Sequence, residues 1–508
     1  MKILLTTLNA KYIHSNLALK YLFAVAGEER KSLELKEFTI NHEDDYIYTE
    51  LIRVEYGVIC FSCYIWNIER TLYLAETLKR ARPDLIIVLG GPEVTYQAED
   101  ILRKNEAIDF ILTGEGEETF PQLLKLLINP DSSLHFSEIN GLLYRKDDEI
   151  YGESATNTVD FQQVPFPYRN IEIEGDKILY YESSRGCPFQ CSYCLSSIVK
   201  GVRSLPVDRV KKDLNYFILK KVKQVKFVDR TFNYDMNRSI EIFTYLIERD
   251  NGITNFHFEL CGELIDEKML MLLEKARPGL FQFEIGIQST NDATLKTINR
   301  KTNLLILFKN IQKILNMDNI HIHLDLIAGL PYEDYNSFKC SFNEVYCLKP
   351  HQLQLGFLKL LPGTLIREQA DKYDYIYRKK APYEVISNRF ISAEGFVRLK
   401  MVETVFNRYY NKGGFSQTLD FTTTKLGMEA FEFYEELARF YYLKGFQDRS
   451  HKKEDFYRIL HLYGMWKDKF FPGVGKKMEQ VLLLDINQSM NPEIAKNMMK
   501  KGWWTGDE

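Results

Sequence analysis

Short apolar runs alternate with amphipathic ones along the first 130 residues. The apolar runs at 2–8, 33–40, 57–64, 85–90 and 108–112 have strand length, whereas 16–26, 68–80 and 117–127 repeat apolar residues at helical spacing. This alternation predicts a doubly wound, Rossmann-like parallel sheet, which binds ligands beyond the carboxyl ends of its strands. A second alternation fills residues 176–370, with strand runs at 178–183, 224–228, 255–260, 281–287, 320–327 and 352–360. Six strand–helix units predict a partial (β/α)6 barrel, whose functional groups sit at the C-terminal strand ends. Between the two, residues 131–175 carry Gly141-Leu142-Leu143-Tyr144-Arg145, an acidic turn at Asp147-Asp148, Tyr151-Gly152 and Pro165-Phe166-Pro167. They read as a hairpin and a proline-fixed linker that straps one unit to the other. Residues 371–508 are mostly helical in pattern, as at 396–409, 428–442 and 454–465. The fold class is thus α/β, with units at 1–130, 176–370 and 371–508.

The 508 residues exceed what one core organises. With 45% apolar residues, 27% charged and a net charge of −4, the composition is that of a globular protein and implies no general nucleic-acid binding. Met1-Lys2-Ile3-Leu4-Leu5 lacks the long apolar core of a secretory signal, and no run of about 20 apolar residues suits a membrane. Eight scattered cysteines do not make a disulfide framework, which favours a reducing cytoplasm.

Three of them stand together in Cys187-Pro188-Phe189-Gln190-Cys191-Ser192-Tyr193-Cys194, after Ser184-Arg185-Gly186. Three close thiols hold three irons of a 4Fe-4S cluster and leave the fourth open to a small molecule. Zinc sites usually add a distant Cys or His pair, and no such pair follows here. The spacing, with an aromatic before the last cysteine, resembles the radical S-adenosylmethionine enzymes. In that family the open iron chelates S-adenosyl-L-methionine, and one electron cleaves it to a 5′-deoxyadenosyl radical.

The other barrel strand ends resemble the S-adenosylmethionine site of oxygen-independent coproporphyrinogen dehydrogenases. Tyr193 matches the aromatic near the adenine, and Asp229-Arg230-Thr231 stands where relatives place Gly-Gly-Thr. Glu259, Gln288 in Gly286-Ile287-Gln288-Ser289, Arg300, and Asp325 before Leu326-Ile327-Ala328-Gly329 complete the match. A carboxylate can accept from ribose hydroxyls or the ammonium, and an arginine can pair with the methionine carboxylate. Ordinary ion pairs within the barrel are the competing explanation for each. Pro362-Gly363 turns the chain across the barrel mouth, either towards the adenine or simply to close the fold.

At the first unit's strand ends stand Asn9 to Asn16 with His14, then Ser62-Cys63-Tyr64, Gly90-Gly91-Pro92-Glu93 and Thr113-Gly114-Glu115-Gly116-Glu117. Glycine at a strand exit admits a large flat ligand. The pattern resembles the cobalamin-binding domain that precedes many radical domains. That implies cobalamin near Asn9, His14, Ser62, Tyr64, Gly90, Gly91, Glu93, Gly114, Glu115 and Gly116. It lacks Asp-x-His-x-x-Gly, so cobalt is expected without a histidine ligand; His14 reads better as a hydrogen-bonding group. A flavodoxin-like module without cofactor is the alternative.

Cys60 and Cys63 read as buried structural thiols, His321 and His323 as core histidines, and Cys261, Cys340 and Cys347 as lacking ligand spacing. Aromatic clusters at Phe431-Glu432-Phe433-Tyr434 and Phe440-Tyr441-Tyr442 read as packing rather than a substrate wall, and Lys500-Lys501-Gly502-Trp503-Trp504 as a tail or docking element. The third unit resembles a C-terminal domain of unknown function that follows cobalamin and radical domains in bacterial proteins.

The resemblance implies a cobalamin-dependent radical S-adenosylmethionine methyltransferase acting on an unactivated carbon or phosphorus, reduced by a donor such as flavodoxin or ferredoxin. The alternatives are a radical cyclase or rearrangement enzyme using the same cofactors, and a cobalamin-binding sensor without catalysis. Methylthiolation of transfer RNA needs three N-terminal cysteines, and only Cys60 and Cys63 stand there.

Overall fold

A computed structural model describes residues 1–129, 134–147, 149–155 and 158–500; Asp148 of the acidic turn and Lys501-Gly502-Trp503-Trp504 of the tail lie outside them. In the first unit β1 (Ile3–Asn9), β2 (Leu33–Thr39), β3 (Val58–Ser62), β4 (Ile86–Gly90) and β5 (Phe110–Leu112) form a parallel sheet in the order 2-1-3-4-5. Both faces are covered, which is why the strands read as continuous apolar runs. Ile3, Leu5, Val58 and Val88 join one core, while Leu4, Leu8, Ile59, Ile87 and Leu89 join the opposite one.

Two features differ from the sequence expectation. The hairpin β6 (Leu142–Lys146) and β7 (Glu149–Gly152) is not a strap but the antiparallel edge of this sheet, with β6 paired to β5. The helices Asp44–Ile52 and Ala98–Lys104 were hidden by weak periodicity, since each buries only two residues, Ile47 and Leu51 in one and Ala98 and Leu102 in the other.

The second unit opens with β8 (Leu179–Tyr181), followed by the antiparallel ribbon β9 (Ser184–Cys187) and β10 (Gly201–Ser204). Strands β11 (Gln224–Phe227), β12 (Asn255–Glu259), β13 (Phe281–Gln288), β14 (His321–Ala328) and β15 (Gln352–Phe357) then complete a six-stranded parallel sheet. Its strand order, 15-14-13-12-11-8, is the chain order, as an open barrel with helical crossovers requires. β1's loop is stitched to the barrel, because Ile178 N–H donates to Ile13 at 2.7 Å and Ser15 Oγ donates to Ile178 at 2.9 Å.

One apolar core runs from the barrel into the C-terminal helices. Phe342 of the barrel helix Tyr335–Tyr346 meets Phe431 at 5.4 Å between ring centroids, and Phe406 meets Tyr434 at 4.9 Å. The aromatic clusters are therefore packing: Phe431, Phe433, Tyr434, Phe440 and Tyr441 are all buried.

The C-terminal unit also returns to the first. A short ribbon, β16 (Ile376–Tyr377) and β17 (Val385–Ser387), brings Tyr383 to donate to the buried Glu93 carboxylate and Lys380 to within 3.0 Å of Glu69. Arg367 lies over the Tyr383 ring at 4.9 Å. Replacing Tyr383 by Phe removes a hydrogen bond to a buried carboxylate and should cost about 2 kcal/mol. Trp66, in the first unit, reports it by fluorescence in urea; an unchanged midpoint would show that the hydroxyl contributes nothing.

Candidate functional site

Cys187 ends β9, and its position depends on Gly186, whose φ is +94° and where a Cβ would lie 2.1 Å from the Gly201 carbonyl oxygen. The following loop is pinned from two sides: Ser192 N–H donates to Ile298 at 3.0 Å, and Ile366 N–H donates to Ser192 at 2.9 Å. Buried Asp229 anchors the strand ends, accepting from Ser183 N–H at 2.8 Å, Ser183 Oγ at 2.5 Å and Ser184 Oγ at 2.7 Å. Thr231 Oγ1 thereby stands 3.5 Å from Cys187 Sγ. Three thiols on one short stretch of chain, Cys187, Cys191 and Cys194, suit three irons of a cluster.

The three thiols open onto a cavity of about 270 Å³ that brings together Tyr193, Arg230, Thr231, Glu259, Gln288, Arg300 and Asp325. Every residue assigned from sequence to S-adenosylmethionine lines it. Gln288 follows a bulge in β13 with φ +73°, and its side chain folds over Gly286, where a Cβ would meet its Nε2 at 2.1 Å. Arg300 donates to the Gly286 carbonyl. Gln288 Oε1 and Arg300 Nε are buried without a partner, an arrangement that suits a polar ligand between them.

Sequence reasoning missed the floor of this cavity. Glu284 lines it, 2.9 Å from Lys226 Nζ and 3.1 Å from His257 Nε2. Burial works against the Glu284 carboxylate, but His257 and Lys226 together hold it down to about 2. Asp325 lacks such partners; burial, then Glu284 and Glu259, push it up to about 8. The missed signal was period-2 polarity: Gln282, Glu284, Gly286 and Gln288 alternate with buried Phe281, Phe283, Ile285 and Ile287. β14 repeats it with His321, His323 and Asp325, and His323 Nε2 lies 3.0 Å from Gln282 Nε2. Cys261 lines the same cavity, while Cys340 and Cys347 are exposed.

A second cavity, of about 700 Å³, lies between the first sheet's carboxyl ends and the barrel mouth. Asn9, His14, Ser62, Tyr64, Gly90, Gly91, Gly114, Glu115 and Gly116 line it. Gly91 is required, since at φ +112° a Cβ would lie 2.6 Å from the Cys63 carbonyl oxygen. Glu93 is a correction: it does not line the cavity, because the helical turn Pro92–Thr95 carries it to Tyr383. Other polar side chains are already engaged. Asn9 donates to Glu37 at 2.6 Å, and His14 Nδ1 is 2.7 Å from the Tyr180 hydroxyl. Glu115 accepts from Val159 N–H at 2.9 Å and lies 3.2 Å from Arg185. Tyr64 and Trp66 stack at 4.5 Å on one wall. Cys60 and Cys63 are buried, and burial pushes Cys60 up to about 12. Gly363 closes the mouth against the first unit; a Cβ there would be 2.8 Å from the Tyr96 ring.

Three family models match the chain in succession: "B12 binding domain" over residues 3–124, "Radical SAM superfamily" over 181–344 and "Protein of unknown function (DUF4080)" over 371–503. The cobalamin-dependent radical SAM methyltransferase TokK of Streptomyces tokunonensis is 27% identical over 352 residues, covering 63% of this chain and 50% of that protein. The anaerobic magnesium-protoporphyrin IX monomethyl ester cyclase of Rubrivivax gelatinosus is 27% identical over 343 residues, covering 63% and 59%. The chain spans about half the length of the first such relatives. The solved structure of the cobalamin-dependent S-adenosylmethionine radical enzyme OxsB with aqua-cobalamin shares the fold, with TM-score 0.63 at 16% identity, covering 99% of this chain and 84% of that one. The chain thus carries a radical SAM domain. In particular, it carries a B12-binding domain before the radical SAM domain and a DUF4080 domain after it.

Burial holds His321 and His323 each at about 4, below the ordinary 6.5. The unfolded chain takes up these protons first, so stability should fall as pH drops from about 6.5 to about 4 and level off below. Urea midpoints across that window test this, and the double variant His321→Gln, His323→Gln should flatten the slope.

Proposed function

We propose that this protein is a cobalamin-dependent radical S-adenosylmethionine enzyme, and specifically a methyltransferase acting on an unactivated carbon or phosphorus. The observation that carries the reading is the meeting of two cavities at the barrel mouth, one lined by Cys187, Cys191 and Cys194 and the other by the glycine-rich ends of a Rossmann-like sheet. The three thiolates would hold a 4Fe-4S cluster. Tyr193, Thr231, Glu259, Gln288, Arg300 and Asp325 would hold S-adenosyl-L-methionine, with the unpartnered Gln288 Oε1 and Arg300 Nε as its hydrogen-bond partners. Ser62, Tyr64, Gly90, Gly91, Gly114 and Gly116 would cradle cobalamin. When bound, these groups supply electron transfer, radical generation and methyl carriage, which no side chain provides.

The protein's part is to orient and to exclude water. The stacked Tyr64 and Trp66 wall one side of the large cavity, and the Tyr180 hydroxyl orients the His14 ring through Nδ1; the reading of cobalt without histidine ligation rests on the missing Asp-x-His-x-x-Gly motif. No helix among the described residues is long and apolar enough to cross a membrane. A reducing cytoplasm, with flavodoxin or ferredoxin as electron donor, suits the cluster. The likeness to a cyclase supports ring formation as the second reading.

After anaerobic reconstitution, wild-type protein should convert S-adenosylmethionine to 5′-deoxyadenosine, and the Cys187→Ala, Cys191→Ala, Cys194→Ala triple variant should not; equal yields sink the radical reading. A product heavier by one methyl group supports transfer, and an unchanged carbon count favours the cyclase. Cobalt(II) paramagnetic resonance of the loaded protein should lack nitrogen superhyperfine lines and be unaltered in His14→Ala. Lines that vanish in that variant would make His14 a ligand.

A further inference from the structure

Among the described residues Arg230 alone lines both cavities. Its backbone is fixed on either side, by the buried Asp229 carboxylate and by Thr231 against Cys187. Its guanidinium is not fixed in this way. The side chain is 55% exposed, and its one ion pair, to Glu259, spans 3.9 Å, beyond hydrogen-bond length. The planar fork of five donors is thus left to whatever lies between the cavities.

No acid of the large cavity is spare to meet it. The acids of the large cavity are Glu115, Glu117 and Glu182. Arg185 takes Glu117 at 2.5 Å and Glu182 at 2.9 Å, and Arg203 takes Glu115 at 3.0 Å. Closing a reaction space around a guanidinium whose one acid, Glu259, stands beyond hydrogen-bond length is costly, and an anion on the molecule that closes it offsets that cost. Arg300, by contrast, lies deeper, with one nitrogen already spent on Gly286.

We infer that Arg230 anchors an oxyanion of the substrate, so that the substrate class is a small molecule bearing a carboxylate or phosphate, held with the group to be modified between the two cofactor cavities. This rests on the radical reading proposed above. A bidentate guanidinium–oxyanion pair fixes orientation as well as position, which a reaction at an otherwise featureless carbon needs.

The test uses the reduced holoenzyme, loaded with cluster and cobalamin and saturated with a non-cleavable S-adenosylmethionine analogue. The probes are inorganic phosphate and acetate, read by nuclear relaxation from the paramagnetic centres. The expected result is saturable relaxation of both anions, weakened tenfold or more in Arg230→Gln and changed less than twofold in Lys301→Gln, a cation lining the small cavity alone. Affinity for the analogue should change less than twofold in Arg230→Gln. No saturable relaxation in wild type, or equal loss in Lys301→Gln, overturns the inference while leaving the radical reading intact. A tenfold loss of analogue affinity in Arg230→Gln with anion relaxation unchanged also overturns it, by assigning Arg230 to the cofactor's own carboxylate. Absence of the cluster signal removes the radical reading itself, and the inference with it.

Discussion

A nearly buried guanidinium, two residues before Cys187, holds the two α/β units together. Arg185 pairs with Glu182 of its own unit and with Glu115 and Glu117 from the last strand end of the first sheet. Its face also rests on Phe161 at 4.5 Å and Tyr21 at 5.3 Å, so the pairing is enclosed by apolar rings. Removing one partner from such a buried set typically costs about 3–5 kcal/mol, because the remaining charges stay desolvated. The same residue adjoins Gly186 and Cys187, so the contact between the units and the placement of the first thiol are one constraint. Burial holds Glu182 at about 7 even beside Arg185, with Glu117 and Asp229 adding to the rise.

The order of elements was legible because each unit is periodic in its own way. Two-sided burial makes β1, β3 and β4 continuous apolar runs, and the glycines after β4 and β5 mark where a sheet of this kind opens. The cysteine motif needs no tertiary knowledge, since its three thiols lie within one loop. Gln288, Arg300 and Asp325 were legible only through resemblance, because they come from two strands and a loop and converge through the fold.

What stayed hidden depends on long-range partners. Glu93 looked like a strand-end ligand until Tyr383, far along the chain, claimed its carboxylate. Glu284, Lys226 and His257 are ordinary polar residues in sequence and form a floor only when β11, β12 and β13 stand side by side. The hairpin at β6 and β7 carried no sign of its partner, because an antiparallel edge strand pairs through backbone groups that any sequence possesses.

The ribbon from the C-terminal unit sets an order of events during synthesis. Tyr383 is 290 residues from Glu93, and Gly363 packs on Tyr96, which lines the large cavity. The amino-terminal sheet can fold soon after it leaves the ribosome, but the barrel wall of its cavity, between Tyr180 and Arg230, arrives later, and the backing of Tyr96 by Gly363 later still. A bulky ligand can therefore enter the nascent protein through a side that the finished protein keeps shut.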